Sequence, residues 1–139
     1  MSEEQRKKAR KFCAFGFFFT FASSSHHYKM EKDVKQYLFR RLKEENSLWS
    51  YDVSKIKSIS DEALIEHVML YLDIDDINRL FPLYGYKKVK RVWLDRVAPQ
   101  GAMFRAYNIL YAWYYFGAKR PEAYVKSIET RHINRIMTA

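Results

Sequence analysis

Residues 61–97 read DEALIEHVMLYLDIDDINRLFPLYGYKKVKRVWLDRV, and three short apolar stripes follow one another in them. Leu64, Ile65, Val68, Tyr71 and Leu72 recur at three- and four-residue spacing, which predicts a helix over 61–72. Ser60 is placed to cap it, and Asp61 and Glu62 complement the positive end of the helix dipole. Asp73 is the next cap, with Asp75 and Asp76 in the first turn that follows and Ile77, Leu80 and Phe81 facing inward. Pro82 should kink or shorten this second helix, because proline lacks the N–H the ladder needs. Gly85 suits the turn after it, since glycine takes positive φ without strain. A third helix over 86–97 puts Tyr86, Val89, Val92, Trp93 and Val97 on one side.

Working outward, Val34, Tyr37, Leu38 and Leu42 predict an earlier helix over 31–45, closed by Asn46–Ser47. Leu48 to Asp52 forms an aromatic linker expected to plug onto the core. On the other side, Pro99 suits the first turn of a helix over 99–116 that is apolar nearly all round, and Gly117 stops it. Pro121 opens a last helix over 121–137 carrying Tyr124, Val125, Ile128, His132 and Ile136. The expected fold is an all-α compact bundle of five or six helices, within a single domain over 30–139. Only 4 Gly and 3 Pro among 139 residues disfavour a many-stranded alternative, which needs frequent turns.

Residues 1–29 differ from the rest. A basic head (Arg6, Lys7, Lys8, Arg10, Lys11) precedes an apolar run from Phe12 to Ala22, then Ser23 to Ser25. This stretch reads as an upstream extension with the working start at Met30, as a signal-like segment, or as a tail that packs or meets a membrane surface. The run is too short to span a bilayer, which needs about 20 apolar residues. With one cysteine, Cys13, no intrachain disulfide can form. A cytoplasmic location is expected, or secretion if residues 1–25 act as a signal.

Chemistry-bearing patterns are sparse. Serine-nucleophile motifs and phosphate-binding glycine loops are absent. Glu66 and His67 are adjacent on one helix, about 100° apart, so they form no direct dyad; His67 is expected to be partly buried and hydrogen-bonded. Asp73, Asp75 and Asp76 suggest a divalent cation less simply than they suggest a cap and its first turn. The sequence therefore predicts no enzyme, no cofactor and no metal.

Two surfaces remain. Lys87, Lys88, Lys90, Arg91 and Arg96 line the helix over 86–97, and the net charge is +9. If 61–97 forms a helix-turn-helix-like unit, this helix would neutralise DNA phosphates. Phe81 stands where such a unit needs a small residue, and Arg91 where it needs an apolar one. The second surface is the Tyr/Trp-rich helix, with Tyr107, Tyr111, Trp113, Tyr114 and Tyr115 as candidates for a protein partner or a homodimer seam.

Leu48-Trp49, Asp52, Asp61, Tyr71, Asp73, Asp75-Asp76, Leu80, Tyr84-Gly85 and Val89 also carry a likeness. Over residues 48–97 the chain resembles a small bacterial helical domain family of unknown function, encoded near antitoxin-like and nucleotidyltransferase-toxin genes. Leu72 stands where that family has glycine, and Pro82 interrupts its uninterrupted helix. The resemblance implies a non-enzymatic module in a regulatory or antitoxin-like setting, engaging a protein partner, and supplies no catalytic residues.

Overall fold

The computed structural model describes residues 24–49, 52 and 56–139. The readings of residues 1–23, Ser50 and Tyr51 lie outside the described residues. The described chain is all-helical. Six α-helices follow in order: α1 (Ser24–Glu44), α2 (Asp61–Tyr71), α3 (Ile74–Tyr84), α4 (Tyr86–Val92), α5 (Arg105–Tyr114) and α6 (Pro121–Thr138). A π-helical turn, Trp93–Val97, continues α4, and two 3₁₀ turns, Ala98–Gln100 and Ala102–Phe104, lead into α5. α1 packs on α2 and α3, α3 on α4, and α6 runs back along α5 and the 98–100 turn.

Ser60, Gly85, Asn46 and Gly117 act where their chemistry requires, whereas Asp73, expected to cap α3, stands at its N-cap without a side-chain cap bond and turns its carboxylate to Arg41. Ser60 Oγ accepts from the Ala63 N–H at 3.2 Å, satisfying one of the orphan donors of the first turn of α2. Gly85, at φ +82°, is the single residue between α3 and α4. Its N–H donates to the Phe81 carbonyl at 2.8 Å, while its own carbonyl accepts from Val89 N–H at 3.2 Å. Pro82 lies within the last turn of α3, where the helix ends two residues later. Asn46, at φ +51°, closes α1; Ser47 donates both its N–H and its hydroxyl to the Leu42 carbonyl. Gly117, at φ +64°, closes the turn after α5, with Ala118 N–H donating back to the Ala112 carbonyl at 2.9 Å.

Several boundaries differ from the sequence reading. α1 begins at Ser24, so it starts seven residues before the expected 31 and crosses the boundary drawn at Met30. The helix expected over 86–97 widens into a π turn at Trp93, which keeps Trp93 and Val97 both buried. The helix expected from Pro99 starts only at Arg105, because Gly101 takes φ +85° and ψ −153° and breaks the ladder. Trp49 does not plug onto the core: Leu48 is buried, but Trp49 is 80 % exposed. Tyr71, expected inward, is also exposed, as is Ile136 near the end of α6. Met69 takes the buried place in the last turn of α2, and α6 outruns the body it packs on, burying only Val125 and Ile128.

The core is one cluster drawn from every helix. Leu38 and Leu42 come from α1, Ile65, Val68 and Met69 from α2, Ile77, Leu80 and Phe81 from α3, and Val89 and Val92 from α4. Trp93 is the largest fully buried side chain. Its ring stacks obliquely on Phe116 at 4.6 Å, and Phe81 stacks on Tyr115 at 4.9 Å. Asn108, wholly buried on α5, accepts from Trp93 Nε1 at 3.0 Å and donates to the Val97 carbonyl at 3.3 Å. That amide ties the π turn to α5, and both of its polar atoms are satisfied, as a buried amide requires.

Candidate interaction surfaces

The five candidate cations on and after α4 are not equivalent. Lys87 and Arg91 face solvent, one helical turn apart. Lys88 Nζ instead donates to Asp61 Oδ2 at 3.2 Å and lies 5.0 Å from the centre of the Tyr84 ring. Lys90 is half-buried and lies 5.9 Å from both the Tyr86 and Phe116 rings. Arg96 pairs with Glu66 at 3.3 Å, and Gln100 donates to the same carboxylate at 2.9 Å. Each exposed pair contributes only about 0–1 kcal/mol, so the pairs can exchange for another anion. They nevertheless orient Lys88 and Arg96 toward the chain's own acids rather than outward.

Asp61 is the centre of a cluster that the sequence reading saw only as a dipole complement. Its Oδ1 accepts from Tyr84 OH at 3.0 Å and pairs with Lys35 at 3.3 Å, while Oδ2 takes Lys88. Lys35 and Lys88 both lie about 5 Å from the Tyr84 ring, at 5.2 and 5.0 Å. Burial alone would raise the Asp61 pKa, but the hydrogen bonds from Tyr84, Lys88 and Lys35 overcome it and hold the carboxyl below its usual range. The Tyr84 hydroxyl is pushed well up, first by burial and then by its bond to the Asp61 carboxylate. The residues come from α1, α2, α3 and α4, separated by up to 53 positions (Lys35 to Lys88), so no local pattern announces them.

Two of the three aspartates near α3, Asp73 and Asp76, are likewise engaged, while Asp75 faces solvent. Asp76, only 3 % exposed, takes Arg41 Nε at 3.4 Å and faces Arg79 at 3.9 Å; Asp73 meets the other edge of Arg41 at 3.6 Å. Among the described residues no group of three or more His, Cys, Asp and Glu side chains is placed to hold a metal ion. His67 is half-buried, its Nδ1–H donating to the Ala63 carbonyl at 2.8 Å and its ring 5.9 Å from Tyr71.

The five aromatic candidates divide between two sides of α5. Tyr111 and Tyr115 are buried at 4 % and 3 % exposure. The Tyr111 hydroxyl donates to the Met69 carbonyl at 2.7 Å, and that of Tyr115 to Asn78 Oδ1 at 2.9 Å. They are core tyrosines whose hydroxyls reach carbonyl and amide acceptors across the bundle, not interface residues. With about 100° per residue, the side opposite Asn108, Tyr111, Ala112 and Tyr115 carries Ala106, Leu110 and Trp113, flanked by Tyr107 and Tyr114. Tyr107 is 55 % exposed, Ala106 is exposed, and Leu110, Trp113 and Tyr114 are partly buried. Met103, in the turn before α5, is 81 % exposed. The apolar surface continues to Tyr71, which is 42 % exposed and meets the Phe104 ring edge-on at 6.3 Å. The single charged side chain of α5, Arg105, turns aside toward Glu129 of α6 at 3.8 Å. Exposed Tyr71 and Met103, and partly buried Phe104 beside them, were missed by the sequence reading; the signal for Met103 and Phe104 is Gly101, which breaks the helix just before them.

No helix among the described residues is long and apolar enough to cross a membrane. Comparison of the chain with family models, with curated proteins and with solved structures returned no match.

Proposed function

We propose that this chain is a non-enzymatic interaction module that engages a protein partner through the outward side of α5. The observation that carries the reading is the absence of any charged side chain from Ala106 to Tyr114, on the exposed side of a helix in a chain of net charge +9. Large aromatic side chains with the Arg105–Glu129 ion pair at one end have the composition of an interface core and part of a polar rim. The regulatory, antitoxin-like setting rests on the resemblance of residues 48–97 alone.

The test compares protein retained from native cells by immobilised wild type, by Ala106→Lys/Met103→Lys and by Lys87→Ala/Arg91→Ala. A protein held by the first and third and released by the second supports the reading; equal retention by all three sinks it.

Lys87 and Arg91, side by side on α4 and facing solvent, favour a second reading in which the module binds duplex DNA. Binding to labelled duplex across a salt series, with Lys87→Ala/Lys88→Ala/Arg91→Ala beside wild type, decides it. A steep loss of affinity with salt that flattens in the triple variant supports DNA binding. Indistinguishable slopes return α4 to a solvated face.

A further inference from the structure

The cations of α4 have neighbours that come from elsewhere in the chain. Phe116, two residues past α5, packs its ring on Trp93 at 4.6 Å and edge-on to Tyr86 at 5.8 Å, and Lys90 Nζ lies 5.9 Å from the same ring. The turn that Phe116 anchors is held by Gly117 at φ +64° and by the bond from Ala118 N–H to the Ala112 carbonyl. Lys119 and Arg120 follow, both exposed, before Pro121 opens α6. With about 100° per residue, Lys90 stands between Tyr86, where Phe116 packs, and Lys87 and Arg91. The turn therefore extends the basic side of α4 into a strip that runs from Arg91 and Lys87 past Lys90 toward Lys119 and Arg120. Unlike Lys88 and Arg96, none of these five pairs with an acid among the described residues.

We infer that α4 and the 117–120 turn together grip the phosphate backbone of a duplex nucleic acid without regard to its sequence; the inference rests on the second reading above, of α4 as a nucleic-acid surface. Two backbone elements, not one helix, would then make the phosphate contacts.

Charge and its spread select this occupant. Lys87 and Arg91 alone are separated by about 6 Å along the axis of α4, and the turn lies beyond Lys90, so the strip suits a repeating anion better than a single one. The exposed acids next to it in sequence, Asp95 and Glu122, leave it with excess positive charge. A protein hot spot or a lipid-inserting face needs exposed apolar anchors. None of the large exposed apolar side chains of the described residues falls on α4 or on the turn. Single strands are held by open aromatic platforms, whereas Tyr86, Trp93 and Phe116 are packed on one another. Neither element carries Asn or Gln to read adenine, while Lys and Arg meet phosphates whatever the bases.

Fluorescence anisotropy of the full chain, with labelled duplexes of unrelated sequence and a single strand across a salt series, tests the grip. The variants are Lys119→Ala/Arg120→Ala and Lys87→Ala/Arg91→Ala. Lys57→Ala/Arg135→Ala removes the same charge from the loop before α2 and the end of α6. All six side chains are exposed, and circular dichroism verifies that each variant keeps its helices. The expected result is equal affinity for the duplexes within about threefold, and a salt slope lowered by roughly 2 in each of the first two variants but not in the third. If Lys119→Ala/Arg120→Ala matches wild type while Lys87→Ala/Arg91→Ala lowers the slope, the two-element grip is overturned and the reading of α4 stands. No binding by wild type at low salt sinks both. Equal losses in all three variants overturn the grip, as does a preference of more than about tenfold for one duplex. Tighter binding of the single strand or of polyglutamate overturns it too.

Discussion

α4 and α5 both stand out in the sequence, one for cations and one for aromatics, and the fold treats them differently. On α4 the apolar side is the core, and the charged side is partly tied back: Lys88 to Asp61, and beyond it Arg96 to Glu66. On and just after α5 the inward side carries polar groups: Asn108, Tyr111 and Tyr115 bury their amide and hydroxyls against specific acceptors, while Ala106 and Tyr107 face out and Arg105 turns to Glu129. A helix can thus be read by composition yet not by side: what decides the outward face is which polar groups find partners inside.

The contrast can be broken most severely at its hinge. Trp93→Ala empties the largest buried site and removes the donor to Asn108, with an expected loss of about 3–5 kcal/mol. Chemical denaturation measures it; a loss below about 1 kcal/mol would mean that the two helices are not joined through this ring. Asn108→Ala should cost about 1–3 kcal/mol, because it strands the Trp93 indole N–H in the interior. Gly85→Ala should lower stability by about 1–3 kcal/mol through backbone conformation alone, since an added Cβ would meet nothing within 4 Å.

Smaller effects sharpen the comparison within α5. Tyr111→Phe removes the bond to the Met69 carbonyl and should cost about 1 kcal/mol, whereas Tyr107→Ala should stay within about 0.5 kcal/mol. Equal losses at the two sites would erase the distinction between the faces. The Tyr111 hydroxyl is pushed up to about 12, first by burial and then by neighbouring Tyr107. Its stabilising contribution is complete below the unfolded tyrosine pKa of about 10 and is lost as pH rises from there toward the folded value. Tyr111→Phe should therefore flatten the fall of stability over this alkaline window.

The smallest expected effect lies at the other helix's anchor. The Asp61 carboxyl is held below its usual range, so its contribution is present above about pH 4 and fades as pH falls through the folded pKa. Wild type should exceed Asp61→Asn by less than about 1 kcal/mol at neutral pH, given the exposure of the cluster, and the gap should close in strong acid. A gap that persists at pH 2 would contradict the ion-pair origin.

The helices were legible wherever their ends carry their own chemistry. Ser60, Asn46 and Gly85 act through neighbours within five residues, so the sequence displays both partners. Tertiary commitments were not legible. Lys88 looks like any solvated lysine until α2 brings Asp61 beside it, and Asp76 looks like a first-turn acid until Arg41 arrives from α1. Gly117 is legible as a stop, but the helix expected from Pro99 runs through Gly101, whose positive φ interrupts it and shifts the start of α5 by six residues. The aromatic helix was recognised as a surface, but which of its tyrosines reach inward depends on the acceptors at Met69 and Asn78.

The three tryptophans form a graded optical probe of this architecture. Trp49 is 80 % exposed, Trp113 partly buried, and Trp93 inaccessible with its indole N–H bonded. Trp49 should emit at the reddest wavelength and be extinguished first by iodide, while Trp93 should emit at the bluest and lose that shift only when the core opens. Trp113, on the outward side of α5, should respond to docking while the other two stay unchanged. One emission spectrum of the native chain, resolved by quencher, thus reads surface, seam and interior separately.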